Sequence, residues 1–176
     1  YGREKNTKLP ITSVPAEGKL HGMVYESPVA SAQVKSAILL SGMYADSPTT
    51  VVEPFTSRDH TERMLEAFGV ETKKDGTAVT IAPVEAFRAP EAIEVPGDIS
   101  SAAYWLVAGS VVPGSQLLLK NVGVNPTRTG ILDVLEAMGA KITLENERVS
   151  GGEAAADIRV EAAKLPGRSF GAVIMP

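Results

Sequence analysis

The chain has 176 residues, with 17 Lys and Arg against 21 Asp and Glu for a formal charge of −4, 44% apolar residues, 5% aromatic residues and no Cys. That length holds one large domain or two small ones, and the apolar content excludes a disordered chain and a disulfide-built secreted one. The mild acidity leaves no basic footprint for nucleic acid. The longest apolar stretch, 102–112, is interrupted by Gly109 and Ser110 and falls short of the ~18 residues of a membrane span. Neither nucleic acid nor membrane is an expected partner.

In chain order, Met23 to Glu26 predicts a strand, Ser31 to Tyr44 a largely buried helix, Thr49 to Pro54 a strand and Arg58 to Phe68 a second helix. Val70 to Lys74 and Thr77 to Ile81 predict a hairpin around Asp75-Gly76, a type I′ signal. Residues 83–97 carry Pro83, Pro90, Pro96 and Gly97, and read as a domain crossover or a long ordered loop. The series then repeats: Ile93 to Val95 a strand, Ile99 to Val111 a buried helix, Ser115 to Lys120 a strand and Thr127 to Met138 a helix. A hairpin of Ala140 to Leu144 with Arg148 to Ser150 follows, and Asp157 to Val160 opens a third copy.

The repeat is legible in the residues themselves. Arg58, Leu65-Glu66-Ala67 and Gly69 recur as Arg128, Leu135-Glu136-Ala137 and Gly139, at a constant offset of 70 (58 to 128). The core-facing sets predicted by helical spacing are Thr61, Met64, Leu65 and Phe68 in one copy and Ile131, Val134, Leu135 and Met138 in the other. Gly69 and Gly139 fall where a left-handed C-cap belongs.

Helix starts carry most of the chemical signal, because their unpaired N–H groups and the positive end of the dipole attract anions. Ser31 reads as an N-cap and Gln33 as an amide two residues on, serving either as plain capping or as a phosphate seat. Arg58 in a first helical turn opposes the dipole, so it needs an anion: Asp59 or Glu62 in a surface pair, or a ligand phosphate. Arg128 occupies the equivalent place, which favours a scaffold role for at least one of the two. Asp98 or Ser100 caps the second buried helix or touches ligand. His60 reads as capping or solvent-facing, with general-base catalysis the alternative. No HExxH, Cys/His cluster, Walker A or Gly-x-Gly-x-x-Gly sequence occurs, so no metal or cofactor is expected.

Three stretches then carry a family resemblance: Ser31-Ala32-Gln33-Val34-Lys35-Ser36-Ala37, Ser57-Arg58-Asp59-His60-Thr61-Glu62, and Pro96-Gly97-Asp98-Ile99-Ser100-Ser101. In order and spacing they resemble the 5-enolpyruvylshikimate-3-phosphate synthase family, in its glyphosate-tolerant bacterial form, over essentially the whole chain. The resemblance implies an α/β (α+β) fold of tandem βαβαββ units, the inside-out barrel of the enolpyruvyl transferases, incomplete in this chain. It implies that residues 1–95 come from the N-terminal domain and 96–176 from the C-terminal domain.

It further implies that Ser31 and the Ala32 N–H bind the phosphate of shikimate 3-phosphate, that Gln33 lies near the ring and the phosphoenolpyruvate side, and that Arg58 binds phosphate. The implied partners are shikimate 3-phosphate and phosphoenolpyruvate, with glyphosate as inhibitor, no cofactor and a cytoplasmic location. The family's acid, base and phosphoenolpyruvate-gripping motifs have no counterpart here, so no catalytic residue is assigned and the chain alone is expected to be inactive. Tyr1 at the start and Val173-Ile174-Met175 before Pro176 at the end suggest a piece of something longer, with self-association through uncovered apolar surface. The other readings are a non-catalytic anion-binding module of the same repeat and a fragment of a UDP-N-acetylglucosamine enolpyruvyl transferase.

Overall fold

A computed structural model describes residues 18–170, and the expectation for the chain ends lies outside them. The described residues divide into two compact units, 18–56 with 71–86, and 57–70 with 87–170.

Unit 1 holds β1 (Val24–Glu26), α1 (Ala32–Gly42), β2 (Thr49–Val52), β3 (Thr72–Asp75) and β4 (Ala78–Ile81). Its sheet runs β1-β2-β4-β3, with β1 parallel to β2 and the other pairs antiparallel. Thr49, Val51 and Glu53 face inward by strand alternation and are buried, as are Val79 and Ile81. Leu39 of α1 packs into the same core, and Gly42 lets the helix approach closely. A Cβ built there would lie 2.7 Å from Thr49 Cβ and 2.9 Å from Ile81 Cγ2.

Unit 2 holds α2 (His60–Ala67), α3 (Ile99–Val111), β5 (Gln116–Gly123), α4 (Gly130–Ala137), β6 (Lys141–Ser150) and β7 (Glu153–Glu161). Its sheet runs β5-β7-β6, all antiparallel, and a single parallel bridge joins Gly97 to Val122 on the outer side of β5. Counting that bridge as a reduced first strand, the strand order matches that of unit 1, so the elements in chain order read as two βαβαββ copies, with α2, the second helix of the first copy, grouping with unit 2. The core collects Ile99, Ala102, Leu106, Val122, Leu132, Leu135, Ile158 and Val160. Gly109, eleven residues into α3 as Gly42 is into α1, opens the same close approach, with a built Cβ 2.6 Å from Val160 Cγ1.

Both second helices end alike. Gly69 (φ +76°) and Gly139 (φ +88°) adopt the left-handed conformation, and the N–H groups of Val70 and Ala140 reach back to the Leu65 and Leu135 carbonyls at 2.9 Å. This is the Schellman arrangement that the repeated glycines predict.

Several expected elements differ. Ile93 to Val95 forms no strand; Pro96 has no N–H to give a ladder, and the Asn121 N–H that would serve Val95 is bonded to Asp157 Oδ1 at 2.8 Å. The second hairpin turns at Gly151-Gly152 (φ +58° and +81°), a type I′ turn, and not between Leu144 and Arg148. The polar run Glu145-Asn146-Glu147 is a bulge inside β6, with Asn146 at φ +51°, so it mimics a turn without being one. Asp157 to Val160 therefore belongs to β7 and closes the second copy; it does not open a third. The first hairpin turns one residue later than expected, at Gly76-Thr77, with positive φ at Gly76 alone, which suits a type II′ turn.

The helices called buried are buried on one face. In α3 the opposite side leaves Tyr104 80% and Trp105 61% exposed. In α2 the buried residues are Glu62 and Leu65 while Met64 is exposed, and in α4 they are Leu132 and Leu135. An apolar run such as Ile131-Leu132 with Val134-Leu135 permits two adjacent stripes, and packing on the sheet selects the one through Leu132 and Leu135 in place of the expected set.

Candidate functional site

The loop entering α1 is held at both ends by the end of β2. Ser27 donates its N–H to the Val52 carbonyl at 2.8 Å, and Ser31 donates its N–H to Glu53 Oε1 at 3.0 Å. Ser31 is the N-cap, with φ −145° and ψ 105°, and its hydroxyl accepts the Val34 N–H at 3.4 Å. The next two N–H groups, of Ala32 and Gln33, have no acceptor among the described residues. The turn thus presents two open amides and a hydroxyl at the positive end of an eleven-residue helix, a geometry suited to an oxyanion. Ser31 and Ala32 are half-buried and Gln33 is exposed.

Beneath this turn lies a pair that sequence reading missed. Lys35 Nζ and Glu53 Oε2 are 3.2 Å apart and each side chain is 2% exposed. The signal was present: Lys35 falls on the Leu39 face of α1, and Glu53 continues the inward alternation of Thr49 and Val51. Charges at core-facing positions of two neighbouring elements imply that they meet.

Unit 2 builds the same turn with other chemistry. Counted from the N-caps at a constant offset of 67 (31 to 98), Asp98 replaces Ser31, Ser100 replaces Gln33 and Ala102 replaces Lys35. Asp98 accepts the Ser100 N–H at 3.2 Å and the Ser101 N–H at 3.1 Å. Arg128 donates through Nη2 to Asp98 Oδ1 at 3.1 Å and to Ser100 Oγ at 2.5 Å. The Ser100 N–H, with help from Ser101 and Arg128, holds the Asp98 carboxyl below its ordinary range. Arg128 precedes α4, because an Asn125-capped turn delays the helix past the expected start at Thr127.

Arg58 likewise sits just before its helix, outside the first turn expected for it, with Asp59 at the N-cap position. Asp59 does not serve as its partner: Oδ1 accepts Arg63 Nε at 2.9 Å and Asn125 Nδ2 at 2.8 Å. Burial pushes the Asp59 carboxyl up, but those two bonds outweigh it and the net shift is downward. Arg58 is exposed and has no carboxylate partner among the described residues.

His60 is paired with a carboxylate of unit 2. Its Nδ1 lies 2.6 Å from Glu153 Oε1, and buried Asn125 bonds Glu153 Oε2 at 3.1 Å while its carbonyl accepts the Thr127 N–H at 2.9 Å. This cluster lines a cleft of ≈ 460 Å³ within unit 2, bounded also by Met64, Ile93 and Pro96. Among the described residues no group of three or more His, Cys, Asp or Glu side chains could hold a metal ion, and no helix is long and apolar enough to cross a membrane.

A repeated βαβαββ unit with polar-capped first helices is the α/β architecture expected of an enolpyruvyl transferase. Comparison with known proteins agrees: the family described as EPSP synthase (3-phosphoshikimate 1-carboxyvinyltransferase) matches residues 1–174. The chain belongs to the EPSP synthase family. It is 53% identical over 175 residues to the 3-phosphoshikimate 1-carboxyvinyltransferase of Bacillus thuringiensis (strain Al Hakam), covering 99% of this chain and 40% of that protein. The enzyme of the same name from Crocosphaera subtropica is 54% identical over 179 residues, covering all of this chain and 39% of that protein. Among solved structures, EPSP synthase from Acinetobacter baumannii superposes with a TM-score of 0.83 at 44% identity, over 89% of this chain and 36% of that one. The chain thus spans about 40% of the length of the relatives it matches.

Proposed function

We propose that the chain is the middle part of a 3-phosphoshikimate 1-carboxyvinyltransferase and carries part of its seat for shikimate 3-phosphate. In that reaction the 5-hydroxyl oxygen of shikimate 3-phosphate bonds to C2 of phosphoenolpyruvate, and phosphate leaves as the enol ether forms. Ser31 Oγ, the Ala32 N–H and Arg58 hold the 3-phosphate, and Gln33 borders the ring and the phosphoenolpyruvate side. Residues 1–95 belong to the N-terminal domain and 96–176 to the C-terminal domain of the whole cytoplasmic enzyme, whose family has glyphosate as an inhibitor. The chain alone turns nothing over, because it supplies neither acid nor base.

One observation supports this reading most. In unit 2 the arginine at the repeated position closes on an anion that the chain itself provides, the Asp98 carboxylate at the helix start. In the first copy the position of Asp98 holds neutral Ser31, while the arginine is retained as Arg58. In unit 1 the corresponding turn, capped by neutral Ser31, leaves the Ala32 and Gln33 N–H groups without an acceptor among the described residues, and so leaves room for an anion from outside.

Calorimetric titration of the full-length protein with shikimate 3-phosphate tests this. Arg58→Ala weakens binding by ~1.5–3 kcal/mol, the worth of hydrogen bonds to a charged group. An unchanged dissociation constant refutes the assignment, and binding of UDP-N-acetylglucosamine in place of shikimate 3-phosphate moves the protein to the nucleotide-sugar transferases.

A further inference from the structure

We infer that Glu53, neutralised by Lys35, is the positioning residue of the phosphate seat: it fixes the α1 entry turn by holding the Ser31 N–H. This rests on the reading of Ser31 as a phosphate ligand. The Glu53 carboxylate is shared between Ser31 N at 3.0 Å through Oε1 and Lys35 Nζ at 3.2 Å through Oε2. Ser27 N to the Val52 carbonyl pins the other end of the same loop, so residues 27–31 are strapped to consecutive residues of β2 and its extension.

The arrangement decides which amides face a ligand. With the Ser31 N–H turned inward to Glu53, Ala32 and Gln33 are left to present theirs outward. A buried carboxylate beside an anion seat would repel the anion if it stood alone. Lys35 cancels that charge from within the same helix, so the positive end of α1 stays available. Unit 2 needs no such pair: Asp98 fills its own turn, and Ala102 stands at the position of Lys35.

The test uses the full-length synthase and two double variants. Lys35→Met with Glu53→Met removes both buried charges together, a replacement that buried ion pairs commonly tolerate without loss of stability, and deletes the acceptor for the Ser31 N–H. Lys35→Met with Glu53→Gln is equally uncharged but keeps an amide oxygen for that N–H. The first raises the KM for shikimate 3-phosphate about tenfold and leaves the KM for phosphoenolpyruvate within about twofold; the second returns the former to within about threefold of the parent. A purely structural pair would give neither the split between substrates nor the rescue.

A Met/Met enzyme that melts like the parent and keeps the parent KM for shikimate 3-phosphate overturns the inference. Should that variant not fold, Glu53→Asp decides: it keeps both charges with one methylene less reach, and a raised KM supports the role while an unchanged one overturns it. Ser31→Ala separates this claim from the reading beneath it. If Ser31→Ala and Arg58→Ala both leave binding unchanged, the seat itself is wrong; if they weaken it and the Glu53 series does not, only the positioning role falls.

Discussion

Replacing Asn125 by Ala tests how the first turn of α2 is held. Asn125 is 2% exposed and makes four strong contacts: Nδ2 to Asp59 Oδ1 at 2.8 Å and to Glu153 Oε2 at 3.1 Å, and Oδ1 from the Thr127 N–H at 2.9 Å and the Thr127 hydroxyl at 2.7 Å. Bonds to charged acceptors are worth ~1.5–3 kcal/mol each and neutral ones ~0.5–1.5 kcal/mol, so a simple sum exceeds ~4 kcal/mol. Asp59 keeps Arg63, Glu153 keeps His60, and Thr127 is half-buried and open to water, which together reduce the loss. The expected destabilisation is about 3 kcal/mol. Trp105, the single tryptophan, lies on α3 in the same unit, so its fluorescence reports this unfolding. With a urea slope of ~1–3 kcal/mol per molar, the midpoint falls by roughly 1–3 M. A fall equivalent to less than about 0.5 kcal/mol would show that the cluster is solvated ornament and that α2 is anchored by other means.

Two further outcomes follow from the backbone and from acid titration. Gly152→Ala places a Cβ 2.3 Å from the Arg63 carbonyl oxygen at φ +81°, whereas Gly114→Ala, at φ +76°, meets nothing within 4 Å. Thermal melting should show a loss above ~2 kcal/mol for the first and near ~1 kcal/mol for the second, and equal losses would remove the clash from the account. The Asp157 carboxyl is held below its ordinary 3.8 chiefly by the Asn121 N–H, then by the Asn146 amide. Because the folded value is the lower one, its contribution is complete above 3.8 and is lost as pH falls below it. Asp157→Asn should therefore lower the urea midpoint at about pH 6 and flatten its decline toward about pH 3; a decline as steep as the parent's refutes this.

The parts of the fold that were legible in sequence are those with a local cause. Ser31 and Asp98 mark helix starts because a side-chain oxygen there satisfies orphan N–H groups, and Gly69 and Gly139 mark ends because only a left-handed residue completes the last turn. What escaped has a non-local cause. Asn146 takes a positive φ because its amide reaches Asp157 eleven residues on, and a run with turn composition becomes a bulge. Ile93 to Val95 loses its ladder because the Asn121 N–H is drawn to Asp157, 36 residues away. Within the candidate site, Ser31 was legible as a cap, while Glu53 and Asn125 act only through partners at separations of 22 and 66 residues.

The two bulges have a bearing on how the second sheet meets other chains. β5 and β6 flank β7, and the register of each against it shifts at mid-length, between Leu119 and Val122 in β5 and between Glu145 and Arg148 in β6, where Asn121 and Asn146 take positive φ and both bond the same Asp157. An unbroken outer strand is a template onto which a stranger's strand can add, residue by residue, toward aggregation. Here an addition along β6 meets a kinked, polar stretch after a few rungs, and one along β5 meets both the Asn121 kink and the segment bridged at Gly97, so the aspartate of the middle strand helps to guard both borders from being copied.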